Sequence, residues 1–134
     1  MKELSCAFTD AKVLVAEDNE FALEIIKHIL GLFKIVPDLA KDGVEAMECV
    51  KKNKYDLLIL DIHMPRKNGN EVAREIRMLS IEQPLIIALT ASAFASEREE
   101  SMAAGFDDYL YKPIEIEKIE VMLKKYLHSK LVKP

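Results

Sequence analysis

Four short apolar runs each end on residues that can do chemistry. VLVA (13–16) runs into Glu17 and Asp18, and LLIL (57–60) into Asp61. LIIAL (85–89) runs into Thr90, and YLY (109–111) into Lys112 and Pro113. Gathered in one place, these are three carboxylates, a hydroxyl and an ammonium. Carboxylates packed together repel, and they take up protons unless a cation intervenes. Lys112 offsets one charge. Mg²⁺ suits the remainder, because it is held by one or two carboxylates, several waters and a substrate phosphate. Mn²⁺, which takes the same oxygen ligands, can substitute. With a phosphoryl group present, Asp61 is a carboxylate nucleophile able to form an aspartyl phosphate. Asp18 and Asp61 bind the metal, and Glu17 positions it directly or through water. Thr90 and Lys112 donate to the phosphoryl oxygens, where charge sits during transfer. Taken singly, each residue has a plainer reading: Asp18 as a helix cap, Thr90 as a turn residue, Lys112 as a surface charge. The chemistry therefore depends on whether the fold brings the four strand ends together.

The elements around these residues say that it does. The apolar runs are too short for helices and lack polar alternation, as buried parallel strands do. IVPDLA (35–40) is a fifth strand candidate, and Pro37 sends it to a sheet edge because it cannot donate to a ladder. Helical spacing fills the gaps. One face carries Ala22, Ile25, Ile26, Ile29, Leu30 and Phe33, another Val44, Met47 and Val50, and a third Val72, Ala73, Ile76 and Leu79. SEREESMAAG opens with a Ser96–Glu99 capping box and stops at Gly105. The last helix turns Ile119, Met122, Leu123, Tyr126 and Leu127 to one side. Strict β-α alternation predicts an α/β fold, one parallel five-stranded sheet covered by five helices. With the proline-bearing strand at the edge, the order is 2-1-3-4-5, the flavodoxin-like doubly wound arrangement. Ligands in such sheets bind beyond the carboxyl ends of the strands, where the residues above fall. Residues 12–128 form the domain, 1–11 read as a loose N-terminal arm, and 129–134 as a C-terminal tail fraying off the last helix.

Composition narrows the function classes. A chain of 134 residues fits one domain with a proper core. It is 50% hydrophobic and 31% charged, with net charge −4, so it offers no basic face for direct nucleic-acid binding. No apolar run is long enough to span a membrane, and the first residues are too polar for a secretory signal. Cys6 and Cys49 have no metal-binding or paired spacing, so free thiols in a reducing cytoplasm are expected.

The pieces VLVAEDN, LLILDIHMPRKNG, IIALTA and GFDDYLYKP occur here in an order and at spacings that match a known family. Over residues 11–128 the chain resembles the receiver domain of two-component response regulators. IIALTASAF followed by AAGFDDYLYKPI is most similar to receivers of hybrid sensor histidine kinases. The resemblance implies that Asp61 takes a phosphoryl group from a phosphohistidine on a histidine kinase or histidine phosphotransfer protein. It implies that the main-chain carbonyl of His63 completes the metal shell and that the Lys112–Pro113 peptide is cis. It also implies a switch: Thr90 moves toward the phosphoryl group, Tyr109 turns inward, and the surface of the fourth helix, fifth strand and fifth helix changes. That surface would then meet a downstream protein or a second copy in a phosphorylation-dependent dimer. Catalysis is limited to the chain's own phosphorylation and autodephosphorylation, in a stand-alone regulator or as part of a hybrid kinase. Two positions depart from common family usage, Ala22 and Asn68, and neither belongs to the proposed chemistry.

Other readings compete. A haloacid-dehalogenase-like phosphatase also uses an Asp nucleophile, Mg²⁺, a hydroxyl and a lysine. It opens with D-x-D on its first strand, whereas here the acid pair comes first and Asp61 is followed by Ile62 and His63. A flavodoxin-like binding protein needs a phosphate loop where AEDNEF stands, and that stretch has the wrong charge. The His63 ring has no second His or Cys to share a zinc site. Its position, with Ser92, two residues beyond Asp61 and Thr90, suits tuning of phosphoryl lifetime. His28 and His128 have no supporting neighbours.

Overall fold

The computed structural model describes residues 6–91 and 94–132. In chain order the elements are β1 (Ala7–Phe8), β2 (Val13–Ala16), α1 (Glu20–Leu32), β3 (Asp38–Ala40), α2 (Gly43–Lys52), β4 (Leu57–Asp61) and α3 (Gly69–Arg77). There follow β5 (Leu85–Thr90), α4 (Ala95–Ala104), β6 (Asp108–Tyr111), α5 (Ile116–Tyr126), a 3₁₀ turn (His128–Lys130) and β7 (Leu131–Val132). Five parallel strands form the main sheet in the order β3-β2-β4-β5-β6. With β1 set aside, this is the expected 2-1-3-4-5 winding. The proline-bearing segment is the edge, but its strand starts at Asp38, so Pro37 stands just outside the ladder.

Side-chain alternation splits the core in two. Val13, Val15, Leu57, Ile59, Ile87 and Leu89 pack under α1 and α5. Leu14, Ala16, Leu58, Leu60, Ile86 and Ala88 pack under α2, α3 and the end of α4. Carrying the parity one step on places Glu17 and Asp61 on the α1/α5 side and Thr90 on the other. Leu57 to Leu60 are fully buried, so β4 presents Asp61 from a rigid support.

Helix caps follow the sequence in part. Asn19 caps α1 by accepting from the Ala22 N–H at 2.9 Å. Asp42 caps α2 through the Glu45 N–H at 2.9 Å. That bond, helped by the Arg66 guanidinium and opposed by burial, holds the Asp42 carboxyl below its usual range. A reciprocal capping box occurs at Asn68 and Glu71 on α3. The box expected at Ser96 and Glu99 does not start α4. Phe94 is the N-cap residue and Ser96 already lies in the first turn. Local residue types favour Ser96, but the helix opens one residue before it. Ile25, expected on the buried face of α1, is exposed, and Leu23 takes the inner position.

Arg77, at the end of α3, ties the lower edge together. Its guanidinium donates to the Gly105 carbonyl through Nε (2.9 Å) and Nη2 (2.7 Å). It also donates to Gln83 Oε1 (3.1 Å), the Pro84 carbonyl (2.9 Å) and Asp107 Oδ2 (2.8 Å). Gly105 caps α4 at φ 121°, and a Cβ there would lie 2.7 Å from Arg77 Cγ.

Among the described residues, short segments from the two ends of the chain pair with each other. Ala7 pairs with Val132 and Phe8 with Leu131 in an antiparallel ribbon. Phe8 is buried and packs edge-on against Phe33 at 6.4 Å between ring centres. Cys6 is buried beside it in the same core, and two such residues are too few for a periodicity to reveal. Phe8→Ala is expected to cost about 3 kcal/mol of unfolding stability in urea titrations. A free arm would lose less than about 0.5 kcal/mol.

Candidate functional site

The parallel register sets the strand ends side by side. Ala16 lies opposite Leu60, and Asp61 opposite Leu89. Thr90 lies opposite Tyr111, and the Lys112 N–H donates to the Thr90 carbonyl at 2.8 Å. The residues that follow each strand therefore converge. Glu17, Asp61 and Thr90 are buried, at 1%, 4% and 6% exposure, whereas Asp18 is exposed. Carboxylate oxygens of Glu17, Asp18 and Asp61 lie within 4.8 Å of one another.

Lys112 enters this cluster from the far side. Its Nζ sits 3.0 Å from Glu17 Oε2 and 3.3 Å from Asp61 Oδ2. The other oxygens are held by main chain. The Asn19 N–H donates to Glu17 Oε1 at 3.1 Å and the His63 N–H to Asp61 Oδ1 at 3.0 Å. Burial raises the Glu17 pKa above the usual carboxylate range, and its hydrogen-bonding contact with Asp61 adds to this. For Lys112, burial works to lower the pKa, but Glu17 and Asp61 outweigh it and hold the ammonium above its ordinary value.

A hard cation fits this donor set. It is all oxygen, with no Cys or His ring among the described residues. Three carboxylates face one ammonium. Despite its ion pair, Glu17 Oε2 is buried and accepts no hydrogen bond among the described residues. Asp18 is not spent on capping, since Asn19 does that.

The remaining predicted residues are placed as follows. The His63 ring is exposed, as are His28 and His128. Ser92 lies outside the described residues. The Lys112–Pro113 peptide is cis. Tyr109 and Tyr111 share a face, with ring centres 5.5 Å apart. Arg98 from α4 covers them, 4.7 Å from the Tyr109 ring centre, and donates to the Tyr111 hydroxyl. Between Thr90 and Tyr109 is a cleft of about 10 Å³, room for a water but not for a phenol ring. Arg98 stood in a stretch that reads as a solvated helix face. Its ring contact depends on how α4 lies over β6, which has no local signature.

The family profile described as the response regulator receiver domain matches residues 13–124. The chain belongs to the response regulator receiver family. It is 37% identical over 130 residues to hybrid signal transduction histidine kinase B of Dictyostelium discoideum, an alignment covering 87% of this chain and 7% of the kinase. It is 36% identical to the response regulator MprA of Mycobacterium ulcerans, covering 87% of this chain and 50% of MprA. The chain thus spans at most half the length of these two curated relatives. Among solved structures it resembles the receiver domain of sensor histidine kinase PA1611 of Pseudomonas aeruginosa, which has magnesium coordinated in its active-site cleft. That match has TM-score 0.82 and 30% identity, and covers 88% and 98% of the two chains. A Saccharomyces cerevisiae co-crystal of the phosphotransfer protein Ypd1 with the Ssk1 receiver domain matches with TM-score 0.83 and 28% identity, covering 91% and 92%.

The pKa of Glu17 gives the site a pH signature. A carboxyl whose folded pKa is raised weakens the fold as pH rises above its unfolded value. Lys112→Met removes the one ammonium that opposes this, leaving two buried carboxylates uncompensated. In metal-free urea titrations, its stability deficit relative to wild type is expected to widen from pH 5 to pH 7.5, reaching about 3 kcal/mol. A deficit that stays flat with pH would contradict the arrangement.

Proposed function

We propose that Asp61 is the phosphoacceptor of a signalling switch, receiving its phosphoryl group from a phosphohistidine on a histidine kinase or histidine phosphotransfer protein. The observation that carries this is the buried Asp61 carboxylate with Lys112 at 3.3 Å and two further carboxylates beside it. The magnesium-bound and Ypd1-bound receiver structures support the same reading.

An Asp61 oxygen attacks phosphorus, a P–O bond forms, the donor's P–N bond breaks, and the imidazole leaves. Asp18 and Asp61, with Glu17 and the His63 carbonyl, would hold Mg²⁺ or Mn²⁺, which when bound neutralises phosphoryl charge. Lys112 and Thr90 donate to the phosphoryl oxygens. Thr90 moves toward the new group, the cleft beside it opens, and Tyr109 leaves Arg98 to turn inward. The α4-β6-α5 face then presents a different surface to a downstream protein or a second copy. Hydrolysis of the aspartyl phosphate resets it, with His63 placed beside the path of attacking water. The chain works in the cytoplasm, as a stand-alone regulator or as the receiver of a hybrid kinase. The phosphatase alternative loses its support to the family match over residues 13–124.

Incubation with Mg²⁺ and acetyl phosphate is expected to add one phosphate by intact mass. Asp61→Asn, or chelation of the metal, is expected to abolish the gain. Continuous turnover of small phosphoesters would overturn the reading. Mg²⁺ is also expected to raise the melting temperature, since a ligand bound only by the folded state stabilises it. Asp18→Ala should lose most of that rise, as read by calorimetry.

A further inference from the structure

We propose that Arg66 is a positioning residue for the Asp61 site: its ion pair with Asp42 straps residues 62–68, which carry His63, against the start of α2. The proposal rests on the phosphoacceptor reading above and names what keeps that site in shape.

The loop after Asp61 is fastened at its base. The Ile62 N–H donates to the Leu89 carbonyl at 3.2 Å, and the Gly69 N–H to the Ile62 carbonyl at 2.9 Å. Between these points the His63 N–H reaches back to Asp61 Oδ1 at 3.0 Å. The loop therefore orients the carboxylate as well as following it. Gly69 makes this closure possible, because a Cβ there would lie 2.5 Å from the Asp61 carbonyl oxygen.

The far end of the loop needs its own anchor, and α2 supplies it. Arg66 Nε lies 2.9 Å from Asp42 Oδ2, and Nη2 donates to Asp42 Oδ1 at 3.2 Å. This is a two-pronged guanidinium–carboxylate pair, the geometry that adds direction to charge. The Asp42 side chain is only 12% exposed, and its Oδ1 is also fixed as the α2 cap. Exposed ion pairs do little, but this carboxylate is neither exposed nor free to swing. Two further observations show how closely the loop is seated on α2. Arg66 sits at φ 66°, a left-handed backbone that a non-glycine residue adopts at a cost. The loop also presses on α2 so closely that a Cβ on Gly43 would lie 2.0 Å from the Lys67 carbonyl oxygen. A second tie, Lys67 to Glu75, runs to α3. The Arg66 tie is the one that reaches across to α2.

Three variants of the full chain test this. Arg66→Gln removes the charge, and Asp42→Ser keeps a good helix cap while losing the two-pronged pair. Arg66→Lys keeps the charge without the fork. Mg²⁺ affinity by titration calorimetry is expected to fall about tenfold in Arg66→Gln and in Asp42→Ser, the effect usual for residues that hold a ligand in place. The double variant should be no worse than either single change, because both break one interaction. Hydrogen exchange of the His63 amide, measured without metal, should quicken in the same variants. Arg66→Lys should weaken Mg²⁺ binding as well. Metal affinity within about twofold of wild type in Arg66→Gln and Asp42→Ser, with unchanged His63 exchange, would overturn the strap even if melting temperatures fell. In that case wild type would still bind Mg²⁺ and accept phosphate, leaving the phosphoacceptor reading intact. A wild type that does neither would overturn both.

Discussion

One ammonium between two buried carboxylates organises this molecule. Glu17 and Asp61 stand at the ends of adjacent strands and are nearly closed off from solvent, and Lys112 bridges them. Two like charges in such a place are tolerated only with a counter-charge at contact distance. The parallel register meets that condition by ending β2, β4 and β6 in successive one-residue steps, so that the residues after them converge. The sheet, in this sense, is a device for holding charges that would otherwise separate or protonate. One carboxylate stays at the open rim, where Asp18 keeps the cluster short of neutral. The excess of carboxylates over ammonium suits the cluster to a hard cation.

The structure divides labour between the two faces of the sheet. Side-chain parity sends Glu17 and Asp61 toward α1 and α5, and sends Thr90 toward the cleft beneath α4. The proposed phosphoacceptor and the proposed switch therefore share a sheet without sharing a strand or a face. β5 lies between them and carries Thr90 at its end. Thr90 and Tyr109 line the same cleft on the far side of the sheet from the charge cluster.

Much of this was legible in the sequence, for identifiable reasons. Buried parallel strands leave continuous apolar runs, so VLVA, LLIL and LIIAL marked the sheet and the polar residues ending them marked the site. Pro37 marked the edge. What stayed hidden depends on contacts between distant segments. Phe8 and Cys6 form too short an apolar stretch to signal a core element, and Phe8 pairs with Leu131, far away in sequence. Arg98 lies in a charged stretch that reads as a solvated helix face, and the roles of Arg98 and Arg66 appear only when the rings of Tyr109 and Tyr111 and the carboxylate of Asp42 come to them in the folded chain. The start of α4 was misplaced because Ser96 carries the right side chain for a cap, whereas Phe94 occupies that point.

The Arg77 knot gives α4 an asymmetric footing. Its last residues are fastened through Gly105, and its only buried residues, Ser101 and Ala104, lie toward that same end. The opposite end, from Ala95 through Glu100, is exposed at every position. Local opening is cheapest where buried contact is sparse. The last turn is thus fixed to α3 through backbone and packing, whereas the first turns meet β6 through the Arg98 side chain, over the Tyr109 ring and on the Tyr111 hydroxyl. Contacts made by a side-chain tip rather than by packed core can be exchanged at little cost to the core beneath.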